Sequence, residues 1–307
     1  MKKTFVFCFL IFATNLSFAS FSNEDAGTRS VGTLRVIPGG EQMALGQTGT
    51  SYTTAANALF WNPALLGTDE HGSLFLSHSV QVEGMNQNHM ALSIPYRSQT
   101  GFGIGVTYAD FGSLNQTSDI GAPLDNLNPH DLLVSGGFGF PLGFLRLGVS
   151  GKYISSEIRN KASTWASDVA LWLPIQRKST ALGLSYQNMG AEIQYDQKKE
   201  KLPGVLRIGL HHTLFNKWRL ALEGLAPKDQ DPTLALGVAY RLLFPSTLQF
   251  FLRGGYNHSL AADKQDLAGM TLGVGLKYKR FGFDYAWVPL GELGSTHYLS
   301  MDVMSFR

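Results

Sequence analysis

Residues 102–108 read Phe102-Gly-Ile-Gly-Val-Thr-Tyr108, and their alternation is strict. On an extended chain Phe102, Ile104, Val106 and Tyr108 share one face, while Gly103, Gly105 and Thr107 share the other. One face is bulky and apolar; the other is nearly empty. The same design recurs at Leu272, Val274, Leu276 and Tyr278, opposite Gly273, Gly275 and Lys277. It recurs again at Leu234, Leu236, Val238 and Tyr240, opposite Ala235, Gly237, Ala239 and Arg241. A β-sandwich needs bulk on its inner faces. A barrel in lipid needs the reverse, with apolar groups outward and small or polar groups toward a lumen.

From about Ser73 onward the chain holds about fourteen such runs and little of helical period. Links after even-numbered runs are short, at 98–100, 142–143, 176–178, 216–217, 245–246 and 279–280. Those after odd runs are usually longer, notably 111–129 and 190–203. Short periplasmic turns alternating with long extracellular loops mark an outer-membrane barrel. Aromatic placement agrees. Tyr108, Tyr153, Tyr186 and Trp287 fall near the upper ends of ascending runs, and Tyr96, Tyr240, Tyr278 and Trp218 near the lower rim. Amphipathic rings settle at both membrane interfaces. The expected fold is all-β: a transmembrane antiparallel up-and-down β-barrel of about fourteen strands, closed because an open edge in hydrocarbon would leave backbone groups unpaired.

Charged residues make up 16% of the 307, with 34 Gly and 12% aromatics, which is unlike an ordinary soluble surface. The chain begins with Lys2 and Lys3, an apolar stretch from Thr4 to Thr14, and the small-x-small step Ser17-Phe18-Ala19. That pattern reads as a cleavable signal peptide over residues 1–19. Its removal leaves 23 basic and 23 acidic residues, from 25 and 23, so the mature chain is near neutral. No basic stripe invites nucleic acid. The single cysteine, Cys8, lies inside the apolar part of the signal, so neither a lipid anchor nor a thiolate metal site is expected.

Two blocks carry a resemblance. One holds Val36-Ile-Pro-Gly-Gly-Glu-Gln-Met-Ala-Leu-Gly46 and, further on, Trp61-Asn62-Pro63-Ala64; the other spans 273–297 and contains Asp284-Tyr-Ala-Trp-Val-Pro-Leu-Gly-Glu-Leu-Gly294. Together they resemble the PorV/PorQ family of type IX secretion proteins, barrels akin to the FadL fatty-acid transporter. The resemblance implies a fourteen-stranded FadL-like outer-membrane barrel with an N-terminal plug in its lumen. The implied organisation is a signal peptide over 1–19, a plug segment over 20–70 and a barrel over 71–307. Residues 54–68, which include Trp61, Asn62, Pro63 and Ala64, are then the end of the plug. Asn62 precedes a proline and is biased away from helical geometry, so the chain turns there toward the wall. The other arrangement is a short amphipathic helix capping the periplasmic mouth.

The strand register places Arg146, Lys152, Arg207, Arg241, Arg253 and Lys277 inside, with Asp168, Glu223 and Asp284. Buried charges must be paired or hydrated. They either pin plug to wall through salt bridges or, at Arg207, Arg241, Arg253 and Lys277, hold an anionic head group such as a carboxylate. Gly101-x-Gly103-x-Gly105 is strand alternation that opens no helix, so it is no dinucleotide fingerprint. His211 and His212 are adjacent on a strand and point to opposite faces, which prevents them from sharing a metal. No catalytic constellation, metal site or cofactor is expected, and the chain reads as non-enzymatic. At the C-terminus Leu299, Met301 and Val303 face lipid, but Ser305 follows in register, with Phe306 off-face and Arg307 last. Either the final strand carries a bulge that restores the pattern, or the aromatic end signal is degenerate.

The resemblance implies a component of type IX secretion or surface attachment, binding a secreted cargo C-terminal β-domain or attachment-complex proteins. The alternative is a FadL-like passive transporter of hydrophobic small molecules, such as long-chain fatty acids, with a hydrophobic ligand in the lumen. Both place the chain in the outer membrane, among lipid. The loops at 111–129 and 190–203 are where a protein partner would dock. Lys198, Lys199, Glu200 and Lys201 in the second loop read as a solvated charge run.

Overall fold

The computed structural model describes residues 27–117, 123–176, 179–244, 247–260 and 267–306. The expected signal peptide, the 245–246 link, part of the 176–178 link and Arg307 lie outside the described residues. In chain order the strands are β1 (Gly72–Val80), β2 (Asn86–Tyr96), β3 (Thr100–Asp110), β4 (Leu114–Thr117), β5 (Pro123–Leu127) and β6 (His130–Leu142). Next come β7 (Leu145–Glu157), β8 (Lys161–Gln176), β9 (Thr180–Gly190), β10 (Ile193–Gln194), β11 (Lys199–Glu200) and β12 (Val205–Leu214). The last are β13 (Trp218–Pro227), β14 (Thr233–Leu243), β15 (Leu248–Asn257), β16 (Met270–Tyr278), β17 (Phe281–Pro289) and β18 (Ser295–Phe306).

Fourteen of these close into one antiparallel barrel, with β1 paired to β2 on one side and β18 on the other. The remaining strands form two hairpins, β4 with β5 and β10 with β11, so both long connections carry structure of their own. The outer face matches the alternation. Ile104 is 63% exposed and Leu234 62%, while the inward Thr107, Ala235 and Ala239 are buried. Apolar exposure on this scale is a liability in water and a requirement in lipid. Paired rings mark both rims, Tyr153 against Trp165 at 4.9 Å and Trp218 against Tyr240 at 4.4 Å between centroids.

Two irregularities matter. Gly72 lies opposite Phe306 and Ser73 opposite Met304, so Ser305 is the extra residue of a bulge in β18. A second register shift separates Ser167 from Val169 where β8 meets β9. It lets two successive residues of β9, Gln187 and Asn188, both sit buried, with Asn188 at φ 61°. Bulges re-aim side chains in this way.

Most of residues 31–66 is buried within the ring of strands. Gly40 N donates to Ser300 Oγ on β18 (3.0 Å), and Gly46 N donates to Thr271 Oγ1 on β16 (3.0 Å). Arg146 of β7 donates to the Ala64 and Leu66 carbonyls (2.7 and 2.6 Å), while Gln87 of β2 donates to the Thr33 carbonyl (3.2 Å). Contacts with strands all around the circumference are possible only from inside. The segment contains α1 (Gly40–Ala44) and α2 (Ala58–Trp61), with short 3-10 turns at Ala55–Asn57 and Pro63–Leu65. The hydrophobic core therefore sits in the lumen, where Trp61, Leu59 and Leu66 are almost wholly buried.

Candidate functional site

The segment descends through the lumen from the long-loop end. Arg29 bridges Lys201, Thr33 hydrogen-bonds Asp131, and Arg35 pairs with Asp229 between β13 and β14. Val31 and Leu34 pack there with Ile154, Ile193 and Leu202, so the β10–β11 hairpin covers the upper lumen. At the opposite, periplasmic end, Gly67 passes against the start of β3. Its φ is +79°, and a Cβ added to it would lie 2.4 Å from the Thr100 carbonyl carbon. Both the left-handed backbone and the close approach require glycine.

The Asn62 turn is fixed from several sides. Asn62 is extended (φ −157°), and its Oδ1 accepts from Ala64 N at 3.0 Å, which caps the Pro63–Leu65 turn. Its Nδ2 donates to the Thr50 carbonyl (2.7 Å) and to Leu171 O of β8 (3.1 Å). The Trp61 indole donates to Pro38 O (2.8 Å), and Gln187 donates to the Phe60 and Trp61 carbonyls (3.0 Å each). Trp61, Asn62, Pro63 and Ala64 are all buried.

The interior charges divide. Arg207 donates to Glu223 (3.0 Å) and stacks over the Trp61 ring at 5.2 Å. Glu223 also accepts from Gly49 N (2.7 Å), Thr50 N (3.0 Å) and the Thr50 hydroxyl (2.8 Å). Three of its four accepted hydrogen bonds hold the segment, and the fourth comes from Arg207. Lys152 pairs with Asp168 at 2.9 Å and donates to Asn188 Oδ1 at 2.8 Å. Arg146 is spent on segment carbonyls. Lys152 and Arg207 are thus held in ion pairs with wall acids, and Arg146 in hydrogen bonds to segment carbonyls.

Arg241, Arg253 and Lys277 behave differently. They line one cavity of about 340 Å³ near the periplasmic end, where Glu41, Arg219 and Asp284 join them. Arg253 pairs with Asp284 (2.5 Å) and Glu41 (3.5 Å), and Arg219 with Glu41 (2.6 Å). Three of the four candidate ligand residues thus converge, and Arg207 lies apart from them. Sequence reasoning missed Glu41 and Arg219. The second was within reach, since Trp218 and Leu220 flank it on the exposed face. Higher up, a void of about 30 Å³ remains among residues such as Phe60, His89, Leu133 and Lys152. An apolar depression of about 710 Å³ lies on the outer wall around Leu76, Met90, Leu276, Phe283 and Leu299, against lipid. Among the described residues no group of three His, Cys, Asp or Glu could hold a metal ion.

No protein-family model matches the chain, and no curated protein matches it in sequence. Solved structures match in fold. The Pseudomonas putida toluene transporter TodX is 13% identical, over 87% of this chain and 96% of its own, with a TM-score of 0.57. The Ralstonia pickettii toluene transporter TbuX is 13% identical over 87% and 98%, also at 0.57. A Pseudomonas aeruginosa FadL homologue is 11% identical over 87% and 98%, at 0.54. At such identities the fold is what is shared. The chain shares with them the fold of a closed, fourteen-stranded antiparallel β-barrel.

Proposed function

We propose that this barrel is a passive outer-membrane channel for small hydrophobic molecules, closed by residues 27–71 acting as a plug. The carrying observation is an apolar lining within the lumen. Phe75, Ala91, Val288 and Tyr298 of the wall pack with Ile37, Leu59 and Phe60 of the segment. A water-filled pore wants a polar interior. Withdrawal of the segment from this side would leave an apolar patch set among inward serines such as Ser73, Ser77 and Ser93. The fold it shares with proteins described as toluene transporters supports the same reading. It favours transport over the secretion role, whose support is the sequence resemblance at 284–294.

The test is toluene uptake by cells carrying the barrel in an outer membrane that lacks other hydrocarbon channels. Uptake above that of the empty host is expected. Uptake equal to the empty host, together with capture of a secreted protein's C-terminal β-domain by the purified barrel, would replace this reading with the secretion one.

A further inference from the structure

The outer wall of the barrel is not evenly convex. Tyr108 on β3 and Phe250 on β15 have five strands between them round the ring, yet both border the 710 Å³ depression. On an evenly convex wall the two would face apart, so the strands between them are set inward, with β1 and β18 near the centre. Exposure agrees. Leu76 and His78 of β1 and Tyr285 of β17 point outward but are half-buried, whereas Ile104 and Leu234 on the flanking walls are well exposed. The inward face shows why the wall can sink. Ser77, Ser300 and Gly275 present small groups to the lumen there, and Gly40 of α1 sits so close that an added Cβ would lie 2.8 Å from Asp284 O. The recess is not an opening, because β1 pairs with β18 without interruption from Ser73 to Val80.

The recess is also graded in polarity. Its lower part is apolar, with Met90, Leu276, Phe283 and Leu299. At its upper part His78 Nδ1 donates to Asn88 Oδ1 (2.8 Å), and the Tyr285 hydroxyl bonds His297 Nδ1 (2.8 Å). The register sets His78 opposite Asn88 and Asn88 opposite Tyr108, so these polar groups stand level with the upper aromatic girdle. Polar side chains facing hydrocarbon are costly, but at the girdle they meet lipid head groups.

We propose that the recess is a lipid site in the wall, taking the acyl chains of a phosphate-bearing membrane lipid with its head at His78 and Asn88. A volume of 710 Å³ lies in the range of cavities that enclose a ligand, about 300–1,000 Å³. An imidazole N–H and the Asn88 amide can both donate to phosphate oxygens. A second barrel would meet the recess as a broad convex wall and span it, whereas acyl chains conform to it. The site rests on the barrel's lying in a membrane and is independent of what the barrel conducts.

Native mass spectrometry of the whole protein, extracted from membranes in mild detergent, tests the site. A retained phosphate-bearing lipid is expected. Val274→Trp puts an indole into the recess and should cut retention about tenfold, while Ile208→Trp, on the exposed face of β12 away from the recess, should not. Offered phosphatidic acid and diacylglycerol together, the unaltered protein should prefer phosphatidic acid, and the His78→Leu, Asn88→Leu double variant should lose that preference. Equal retention in Val274→Trp, no lipid at all, or no preference for phosphatidic acid in the unaltered protein overturns the site. So does a doubled mass that Val274→Trp abolishes, which would make the occupant a second copy. Recovery of the protein in the aqueous fraction without detergent would instead overturn the membrane reading beneath it.

Discussion

The segment meets the barrel wall in two different ways. Along β3, β6 and β7 the contact is dry and close. A Cβ on Gly148 would lie 2.0 Å from Ala64 N, one on Gly139 2.4 Å from Pro63 O, and one on Gly101 2.2 Å from Gly67 N. Leu59 and Leu66 fill the rest of that wall, against Gly103, Gly105 and Gly137. Along β13, β15 and β17 close packing recurs, as at Gly255, where an added Cβ would lie 2.1 Å from Gly46 N, but ion pairs from Arg219 and Arg253 to Glu41 join it, and they border a cavity. Close packing of backbone on backbone leaves little room for small displacements. Ion pairs beside a water-accessible cavity can exchange partners. On the proposed plug reading, the glycine wall would act as a hinge and the charged wall as a latch.

Substitutions on the two walls should separate along these lines. The largest loss is expected at Glu223→Ala, which removes four hydrogen bonds and strands Arg207 as an unpaired buried cation. The cost should be about 3–5 kcal/mol, read from unfolding in detergent. Gly148→Ala should follow at about 1–3 kcal/mol, because the added methyl overlaps backbone rather than a flexible side chain. Its effect should not change with salt. Glu41→Gln should cost about 1 kcal/mol or less, since Glu41 and Arg219 are partly open to solvent. That small loss should shrink further at high ionic strength. A salt-insensitive Glu41 effect, or a harmless Gly148→Ala, would collapse the distinction between hinge and latch.

The barrel was legible because lipid imposes a pattern on every strand. Phe102 to Tyr108 alone shows which face is outward, and repetition of that pattern gives the strand number. The break at Ser305 was legible for the same reason, but sequence left a bulge and a degenerate end signal as alternatives, and the register shift between β1 and β18 is what distinguishes them. The pre-proline bias of Asn62 foretold its extended backbone. The partners inside the lumen were not legible. Arg207 and Arg253 look alike in sequence, each alternating inward on its strand. What separates them is the path of residues 27–71, which sets Trp61 over one and Glu41 beside the other. The inward pair Gln187 and Asn188 was hidden because a bulge breaks the period-2 rule by which inward residues are found. Long loops showed their length, while their hairpins and the docking of Ile193 and Leu202 on the segment depend on contacts far apart in sequence.

The central claim is that the segment must move before anything passes. Leu59 of α2 and position 103 of β3 can test it directly. A Cβ built on Gly103 lies 3.5 Å from the Leu59 Cβ, at the near edge of disulfide geometry. The chain's single cysteine is Cys8, within the expected signal peptide. In the Leu59→Cys, Gly103→Cys double variant, oxidation ties the segment to the wall and reduction frees it. Toluene uptake measured on the same cells before and after reductant should be absent in the oxidised state and return on reduction. Equal uptake in both states, with the cross-link verified, would contradict the account.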